Sequence, residues 1–300
     1  MILQAISSTV RMARMKTIEK NQELKSAVLE FQELHKSGCF VMPNPWDVGT
    51  AKVFYQLGFK ALASTSAGLA FSRGLPDSVT ALSRDDVLEH LRSLTKATPL
   101  PVNADFQDGY AREPEAVASN VQLCVSTGVA GLSIEDATGD DDAPLYERDL
   151  SIERIAAARK AIDETKSGVV LTARCEAWLV GDATPFKTAM DRLVAFAEAG
   201  ADCLYAPGVQ DAKEIKALVE AVAPLPLNVI VSGNAPDLTV ERLAELGVRR
   251  ISVGSALARV VWGSLLRAAR SIQSTGSFDS MSDAASFAEL NDLFTSDLDS

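Results

Sequence analysis

The segment Thr127-Gly128-Val129-Ala130-Gly131-Leu132-Ser133-Ile134 is the most informative about the architecture, because it joins an amphipathic helix to a buried strand through one glycine. Glycine adopts the left-handed conformation that closes a helix, and the apolar residues after it are typical of a strand inside a sheet. The same junction returns at Leu57-Gly58-Phe59, Ala199-Gly200-Ala201 and Leu246-Gly247-Val248. Four copies predict a repeated β-α unit and therefore a parallel sheet.

The spacing of these junctions leaves room for eight strands. We place them at residues 39–43, 61–66, 101–106, 131–136, 169–175, 203–207, 226–232 and 250–255. Helical patterns separate them at residues 85–96, 114–126, 152–164, 186–198 and 212–222. Eight such units predict a (β/α)8 TIM barrel of the α/β class. An open doubly wound sheet is the alternative, which the lack of a G-x-G-x-x-G motif after the first strand disfavours.

Helical patterns continue beyond the eighth strand, over residues 256–272 and 282–294. A barrel needs only one helix after its last strand, so the additional helix predicts packing on a partner subunit. We therefore divide the chain into an N-terminal segment and helix (1–37), the barrel (38–277) and a C-terminal helix (278–300).

The composition is that of a globular protein, with 47% hydrophobic and 23% charged residues in a chain of 300. A net charge of −11 disfavours nucleic acid and anionic membranes as partners. No apolar run approaches the roughly 18 residues of a membrane span. Four cysteines without a C-x-x-C motif indicate a reducing compartment, and we expect a cytoplasmic protein. Arg11, Arg14 and Lys16, with no acid before Glu19, are also typical of an organelle transit peptide, but we favour a segment leading into a first helix.

Polar side chains gather where the predicted strands end, which is where barrel enzymes hold their active sites. They are Ser64, Thr65 and Ser66 at strand 2, Asn103, Asp105 and Asp108 at strand 3, Glu135 and Asp136 at strand 4, Arg174 at strand 5, and Asn228 on strand 7. Carboxylates on neighbouring strands can share Mg²⁺, which prefers oxygen ligands. An arginine beside them offers a fixed donor fork for a substrate carboxylate or an oxyanion.

Other polar residues have structural explanations. Any single carboxylate at a strand end can be a helix cap or a solvated residue, and only their coincidence on successive strands favours function. Asp47 precedes a helical run and is interpreted as an N-cap. Three consecutive acids, residues 140–142, indicate a solvated loop, since their side chains do not converge. His35 and His90 lie in predicted helices, which disfavours Ser-His-Asp and Cys-His chemistry.

Longer motifs surround these positions over residues 38–256. They are Asn44-Pro45-Trp46-Asp47, Ser64-Thr65-Ser66-Ala67-Gly68, Gly74-Leu75-Pro76-Asp77, Pro101-Val102-Asn103-Ala104-Asp105, Gly131-Leu132-Ser133-Ile134-Glu135-Asp136, Thr172-Ala173-Arg174-Cys175-Glu176, Pro226-Leu227-Asn228 and Arg250-Ile251-Ser252-Val253-Gly254. In this order they resemble the isocitrate lyase and phosphoenolpyruvate mutase superfamily.

The resemblance implies a homo-oligomer, a dimer or tetramer, that exchanges its C-terminal helix. It also implies Mg²⁺, with Mn²⁺ as a substitute, and a small 2-oxo carboxylic acid that reacts through an enolate. Carried across, the metal ligands are Asp105, Glu135 and Asn103, with Asp108 and Asp136 behind them. The substrate-binding residues are Ser64, Thr65, Ser66, Arg174 and Asn228, and the catalytic residues are Arg174, Ser66 and Asp77.

Two departures from the family narrow the function. Asn103 stands where the family has an aspartate, which removes one negative charge from the metal site. The loop after strand 4, residues 137–146, lacks the Lys-Cys-Gly-His motif of the lyases that cleave isocitrate or methylisocitrate, and also the Lys- and Asn-containing loop of the mutases. We interpret the chain as a Mg²⁺-dependent C–C lyase or decarboxylase. The alternatives are a phosphoenolpyruvate phosphonomutase or phosphonate hydrolase, and a metabolite-binding barrel without catalysis.

Overall fold

A computed structural model describes residues 24–295 as a barrel of parallel strands in the order β1-β8-β7-β6-β5-β4-β3-β2. The strands are β1 (Phe40–Met42), β2 (Leu62–Ala63), β3 (Val102–Asp105), β4 (Gly131–Glu135), β5 (Val170–Arg174), β6 (Cys203–Tyr205), β7 (Leu227–Ile230) and β8 (Arg250–Ser252). Ala63 N donates to Pro43 O at 3.0 Å, which joins β2 to the end of β1 and nearly closes the sheet. The predicted (β/α)8 barrel is confirmed, and the basic residues 11–16 lie outside the described part of the chain.

Helices alternate with the strands. They are α1 (24–36), α2 (Val48–Gln56), α3 (Ser66–Ser72), α4 (Arg84–Ala97), α5 (Pro114–Val125), α6 (Arg148–Thr165), α7 (Pro185–Glu198), α8 (Ala212–Val222), α9 (Val240–Glu245), α10 (Ala256–Thr275) and α11 (Phe287–Thr295), with a 3-10 turn at Asp279–Met281. The four junction glycines have φ between 83° and 101°, so the interpretation of these junctions as helix ends is confirmed. Asp47 caps α2 through Thr50 N, as expected.

Two local predictions were wrong. Residues 61–66 were expected to form one strand, but β2 ends at Ala63, and Thr65 caps the short helix α3 by accepting from Gly68 N. The last helix begins at Phe287 rather than at residue 282, because Ser286 accepts from Glu289 N and so fixes the N-terminus there.

Helix α1 covers the N-terminal end of the barrel. Its Phe31 side chain is fully buried and lies against Gly131, the first residue of β4. A Cβ at Gly131 would lie 2.5 Å from Phe31 Cε1 and 2.6 Å from Asn103 Oδ1, so only glycine fits. Phe31 of α1 thus packs at the start of β4, and the opposite, C-terminal ends of the strands are left to form a cavity.

The C-terminal helices leave apolar surface exposed. Helix α10 exposes Val260, Val261, Leu265 and Leu266, whereas α11 packs on α2 of the same chain. Exchange of α11 between subunits therefore stays a prediction. Within residues 24–295, none of the helices combines the length and hydropathy that crossing a membrane requires.

Candidate active site

A cavity of about 250 Å³ opens at the C-terminal ends of the strands. Most of the residues predicted from the sequence line it, namely Ser64, Thr65, Ser66, Asp77, Asn103, Asp105, Arg174 and Asn228. Glu135, Asp108 and Asp136 are not part of its wall. The cavity is smaller than the roughly 300–1,000 Å³ of sites for drug-sized ligands, so it suits a compact molecule.

Arg174 is the centre of a charge cluster on the β3–β5 side. Its Nη1 lies 3.1 Å from Glu135 Oε2 and 3.3 Å from Asp105 Oδ1, and its Nε donates to Glu176 Oε1. Its Nη2 has no protein partner among residues 24–295. Glu135, which we expected at the cavity wall, instead contacts the cavity through this guanidinium. The arginine is thus fixed by three carboxylates and keeps one nitrogen for a ligand.

Burial dominates the electrostatics of this cluster. Burial raises the pKa of Glu135 well above its usual range, because the neighbouring carboxylates add to that effect and Arg174 only partly opposes it. Burial likewise raises the pKa of Glu176, again against Arg174. Burial alone would lower the pKa of Arg174, but the charges of Glu135 and Glu176 outweigh it and raise that pKa well above the usual value. The arginine therefore stays charged in a cluster with excess negative charge.

The segment after β2 supplies the neighbouring wall. Ser64 Oγ accepts from Asp105 N at 2.8 Å, and Ser66 N donates to Asp105 Oδ2 at 2.9 Å. Thr65 is buried and uses its hydroxyl oxygen to cap α3. These contacts fix the Asp105 carboxylate from two sides, while the Ser64 and Ser66 hydroxyl groups remain at the cavity wall.

A buried arginine lies at the floor of the cavity. Arg250 is 1% exposed, and its Nε donates to Asn228 Oδ1 at 2.9 Å while its Nη2 donates to Thr172 Oγ1 at 3.0 Å. Its Nη1 lies 3.2 Å from His35 Nε2. Asn228 Nδ2 in turn donates to Ser252 Oγ. The Asn228 amide thus accepts from Arg250 and donates to Ser252, and its second N–H has no acceptor among residues 24–295.

Asp136 and Asp108 hold the loops around the site. Asp136 pairs with Arg192 of α7 at 2.9 Å and accepts from Glu176 N at 2.8 Å. Arg192 Nη2 also donates to Tyr146 O, so one guanidinium holds both ends of the loop over residues 137–145. Asp108 Oδ2 accepts from the Tyr146 hydroxyl at 2.8 Å. Asp136 and Asp108 thus hold the loops in place and do not line the cavity.

Two loops meet over the mouth. Asp77 lines the cavity from the segment before α4, and Val79 of the same segment lies against Gly139 of the β4 loop. Gly139 has φ +74°, and a Cβ there would lie 2.3 Å from Val79 Cγ2. The acids at residues 140–142 are exposed, in agreement with their interpretation as a solvated loop.

The donor set fits a hard divalent cation. Asp105 and Glu135 each bring a carboxylate oxygen to the same nitrogen of Arg174, and Asn103 Oδ1 is buried without a hydrogen-bond partner among residues 24–295. No group of three or more His, Cys, Asp or Glu side chains with ligand spacing occurs between residues 24 and 295. Two carboxylates, an amide oxygen and water are a set that Mg²⁺ accepts.

Four polar residues of the site were given no role from the sequence, namely Glu176, Arg192, Arg250 and Arg259, although Glu176 and Arg250 stand in the motifs quoted above. Glu176 could have been found, since it follows Arg174 by two residues and so shares its face of the chain. Arg250 stands in a strand whose register pairs it with Asn228. Nothing in the sequence marks Arg192 or Arg259, because both are ordinary helix residues until the fold brings them to the loops.

Comparison with known proteins gives consistent matches. The family model described as phosphoenolpyruvate phosphomutase matches residues 31–273. The crystal structure of a candidate lyase or mutase from Burkholderia cenocepacia J2315 is 44% identical, covers 91% of this chain and 97% of its own, and has a TM-score of 0.87. Oxaloacetate acetylhydrolase in complex with oxalate is 26% identical over 92% and 97% of the chains, with a TM-score of 0.80. An oxaloacetate decarboxylase of Pseudomonas putida GB-1 is 28% identical over 79% of this chain and 80% of its own.

Proposed function

Because the chain belongs to the phosphoenolpyruvate phosphomutase family of the isocitrate lyase and phosphoenolpyruvate mutase superfamily, we propose that it cleaves a C–C bond of a small 2-oxo acid through an enolate. The observation that carries this proposal is the Arg174 cluster, in which three carboxylates fix the guanidinium and Nη2 has no hydrogen-bond partner among residues 24–295. Relatives that act on oxaloacetate are consistent with it.

Fixed positive charge is what the reaction requires. When the bond at C3 breaks, its electron pair forms an enolate, and a charged donor fixed beforehand stabilises the enolate oxygen without reorganisation. Arg174 Nη2 meets that description. We assign Asp105 and Glu135, with Asn103 Oδ1, as the residues that would hold Mg²⁺ or Mn²⁺, which when bound polarises the 2-oxo group. Ser64, Ser66 and the Asn228 amide would orient the substrate carboxylate and 2-oxo group.

Asp77 is our candidate for the proton transfer. It lines the cavity, and its partial burial raises its pKa, with the charge of Asp105 adding and that of Arg174 opposing. A carboxyl group that keeps its proton to a higher pH than usual is suited to return a proton to C3 of the enolate.

The loop over residues 137–145 limits the substrate. Isocitrate and methylisocitrate carry two further carboxylates, which the exposed acids at residues 140–142 would repel, and the loop has no cysteine to act as proton donor. We therefore propose negligible cleavage of either tricarboxylate. A kcat/KM for one of them above that for oxaloacetate would contradict this.

The decisive experiment is a product assay on compact 2-oxo acids. Purified protein with Mg²⁺ should release pyruvate and CO2 from oxaloacetate by breaking the C3–C4 bond, or acetate and oxalate by breaking the C2–C3 bond with water. Arg174→Lys should reduce kcat by about 100-fold or more, because lysine keeps the charge but loses the fork. Arg159→Lys is the matched control, since Arg159 pairs with Asp163 and Asp202 outside the site. Equal activity in the two variants would refute the assignment of Arg174.

A second experiment tests the metal assignment without turnover. Oxalate mimics an enolpyruvate, so Mg²⁺ and oxalate together should raise the Tm more than either does alone. Glu135→Gln should abolish this synergy, whereas Glu164→Gln, an exposed control, should keep it. Unchanged synergy in Glu135→Gln would show that the metal ligands lie elsewhere.

We also propose a cytoplasmic homo-oligomer, a dimer or tetramer, with the domain division given above. The exposed apolar residues of α10 support it, since such a surface is costly in water. Light scattering on the purified protein would test the assembly, and a monomer at micromolar concentration would refute it.

A further inference from the structure

Three arginines line the cavity, and their surroundings differ in charge. Arg174 is in contact with the carboxylates of Asp105, Glu135 and Glu176. Arg250 and Arg259 have no carboxylate within 4 Å among residues 24–295. Within the described residues, one of the three cations at the cavity is therefore neutralised by carboxylates, and two are not.

The two kinds of arginine lie on different sides of the barrel. Arg174 is the last residue of β5, whereas Arg250 is on β8 and Arg259 is in the first turn of α10, the helix that follows β8. The strand order separates β5 from β8 by two intervening strands, so Arg259 and Arg174 face the cavity from roughly opposite walls. The cavity thus has an acidic side at β3–β5 and a basic side at β7–β8.

The basic side is short of negative charge rather than of hydrogen bonds. Arg250 is 1% exposed, and its acceptors are the neutral groups of Asn228, Thr172 and His35. A buried cation with only neutral acceptors gains most from an anion nearby, because the low dielectric strengthens that attraction.

Arg259 is placed to contact such an anion directly. Its Nη2 donates to Ser232 O in the loop after β7, and its other N–H groups have no acceptor in the described part of the chain. Ser232 and Ser255, which flank it at the cavity wall, add hydroxyl groups. A planar fork beside hydroxyl groups is suited to bind a carboxylate or phosphonate oxygen pair.

We infer that Arg259 is a specificity-determining residue that binds a second negatively charged group of the substrate, with Arg250 supplying positive charge beneath it. The substrate class is then a 2-oxo acid with two anionic groups, of which a dicarboxylate fits the small cavity best. This inference rests on the proposed function for the 2-oxo end of the substrate, which would contact Arg174. The second subsite is argued independently, from the positive charges of Arg250 and Arg259.

Binding of a matched pair of ligands tests the subsite without turnover. Malate and lactate differ only by the second carboxylate, so in the presence of Mg²⁺ malate should bind the wild type about tenfold or more tightly than lactate. Arg259→Gln should reduce that ratio to below about threefold while leaving the Kd of lactate unchanged. Arg267→Gln, on the same helix but hydrogen-bonded to Ser264 and away from the cavity, should keep the wild-type ratio.

Phosphonopyruvate against pyruvate is the second pair, and it separates the two sources of the anionic group. The wild type could prefer phosphonopyruvate over pyruvate but not malate over lactate, and Arg259→Gln could remove that preference. This result would support the subsite and identify its ligand as a phosphonate. Equal ratios in the wild type and Arg259→Gln for both pairs would overturn the inference, even if oxaloacetate is turned over. Loss of turnover in all assays, with the malate ratio still dependent on Arg259, would refute the proposed function instead.

Discussion

His35 is a buried histidine in contact with a buried arginine, and we predict that it stays neutral in mildly acidic solution. Its Nδ1 lies 2.6 Å from Phe31 O, and its Nε2 lies 3.2 Å from Arg250 Nη1. Since an arginine only donates, Nε2 must accept, and Nδ1 then carries the single proton. Burial, with the charge of Arg250 adding, lowers the pKa of His35 to about 3.

The lowered pKa of His35 determines how the free energy of unfolding should depend on pH. Between pH 6.5 and 3 the unfolded chain binds a proton at His35 that the folded chain does not. The contribution of His35 to stability is therefore fully present above pH 6.5 and declines as the pH falls, by about 1.4 kcal/mol per unit. From pH 6.5 to 5 the loss is about 2 kcal/mol. His35→Gln keeps an acceptor for Arg250 but does not titrate, so it should remove this part of the slope.

The assay combines unfolding in urea at pH 7, 6 and 5 with an NMR titration of the imidazole signals. The chain has two histidines, and burial lowers the pKa of His90 to about 4, so neither signal should titrate above pH 5. The double variant His35→Gln/His90→Gln contains no histidine and reports the contribution of the carboxylates. A His35 signal that titrates near pH 6.5, or equal slopes in the wild type and His35→Gln, would refute the assigned contacts.

Three further predictions concern the loops and the positions behind the cavity. Gly139→Ala and Gly38→Ala both place alanine at φ +74°, which should cost about 1–2 kcal/mol of folding stability each. Only Gly139→Ala should also lower kcat/KM, by about tenfold, because its Cβ meets Val79. Adding Val79→Ala should restore kcat/KM in steady-state assays. Glu176→Gln should lower kcat more than it raises KM, by about tenfold, because Arg174 loses the charge that orients its Nε; equal kcat would contradict this. Arg192→Met should cost about 3–5 kcal/mol in urea unfolding, since the buried Asp136 carboxylate then loses its positively charged partner and keeps only the Glu176 N–H. Asp136→Asn in the same chain should recover part of that loss.

The barrel could be predicted because its signals are local. A glycine after an amphipathic run and an apolar segment after the glycine are both visible within about ten residues, and each of the eight strands lies inside its predicted range. The strand-end rule then placed Asp105 and Arg174 at one opening without any knowledge of their contacts. Repetition made these weak signals sufficient.

What the sequence did not predict depends on contacts between distant residues. Arg192 binds Asp136 across 56 positions, and Arg250 binds Thr172 across 78, so no local pattern marks either pair. The length of β2 was also out of reach, because a Thr65 cap and a continued strand are both compatible with that stretch until the barrel closes. The sequence therefore predicted where the residues of the site lie along the strands, but not which side chains they contact.

The acidic and the basic side of the cavity have complementary charges. The acidic side has more carboxylates than arginines. The basic side has two arginines without a carboxylate in the described residues. A divalent cation on the acidic side and a dianionic ligand on the basic side would therefore each strengthen the binding of the other. Asn103 fits this balance. An aspartate there would add negative charge to a side that already has an excess, whereas the Asn103 amide has a neutral oxygen, Oδ1, without a hydrogen-bond partner in the described part of the chain. If the proposed metal assignment holds, this departure from the family pattern would lower the negative charge of the metal site and still offer it an oxygen ligand.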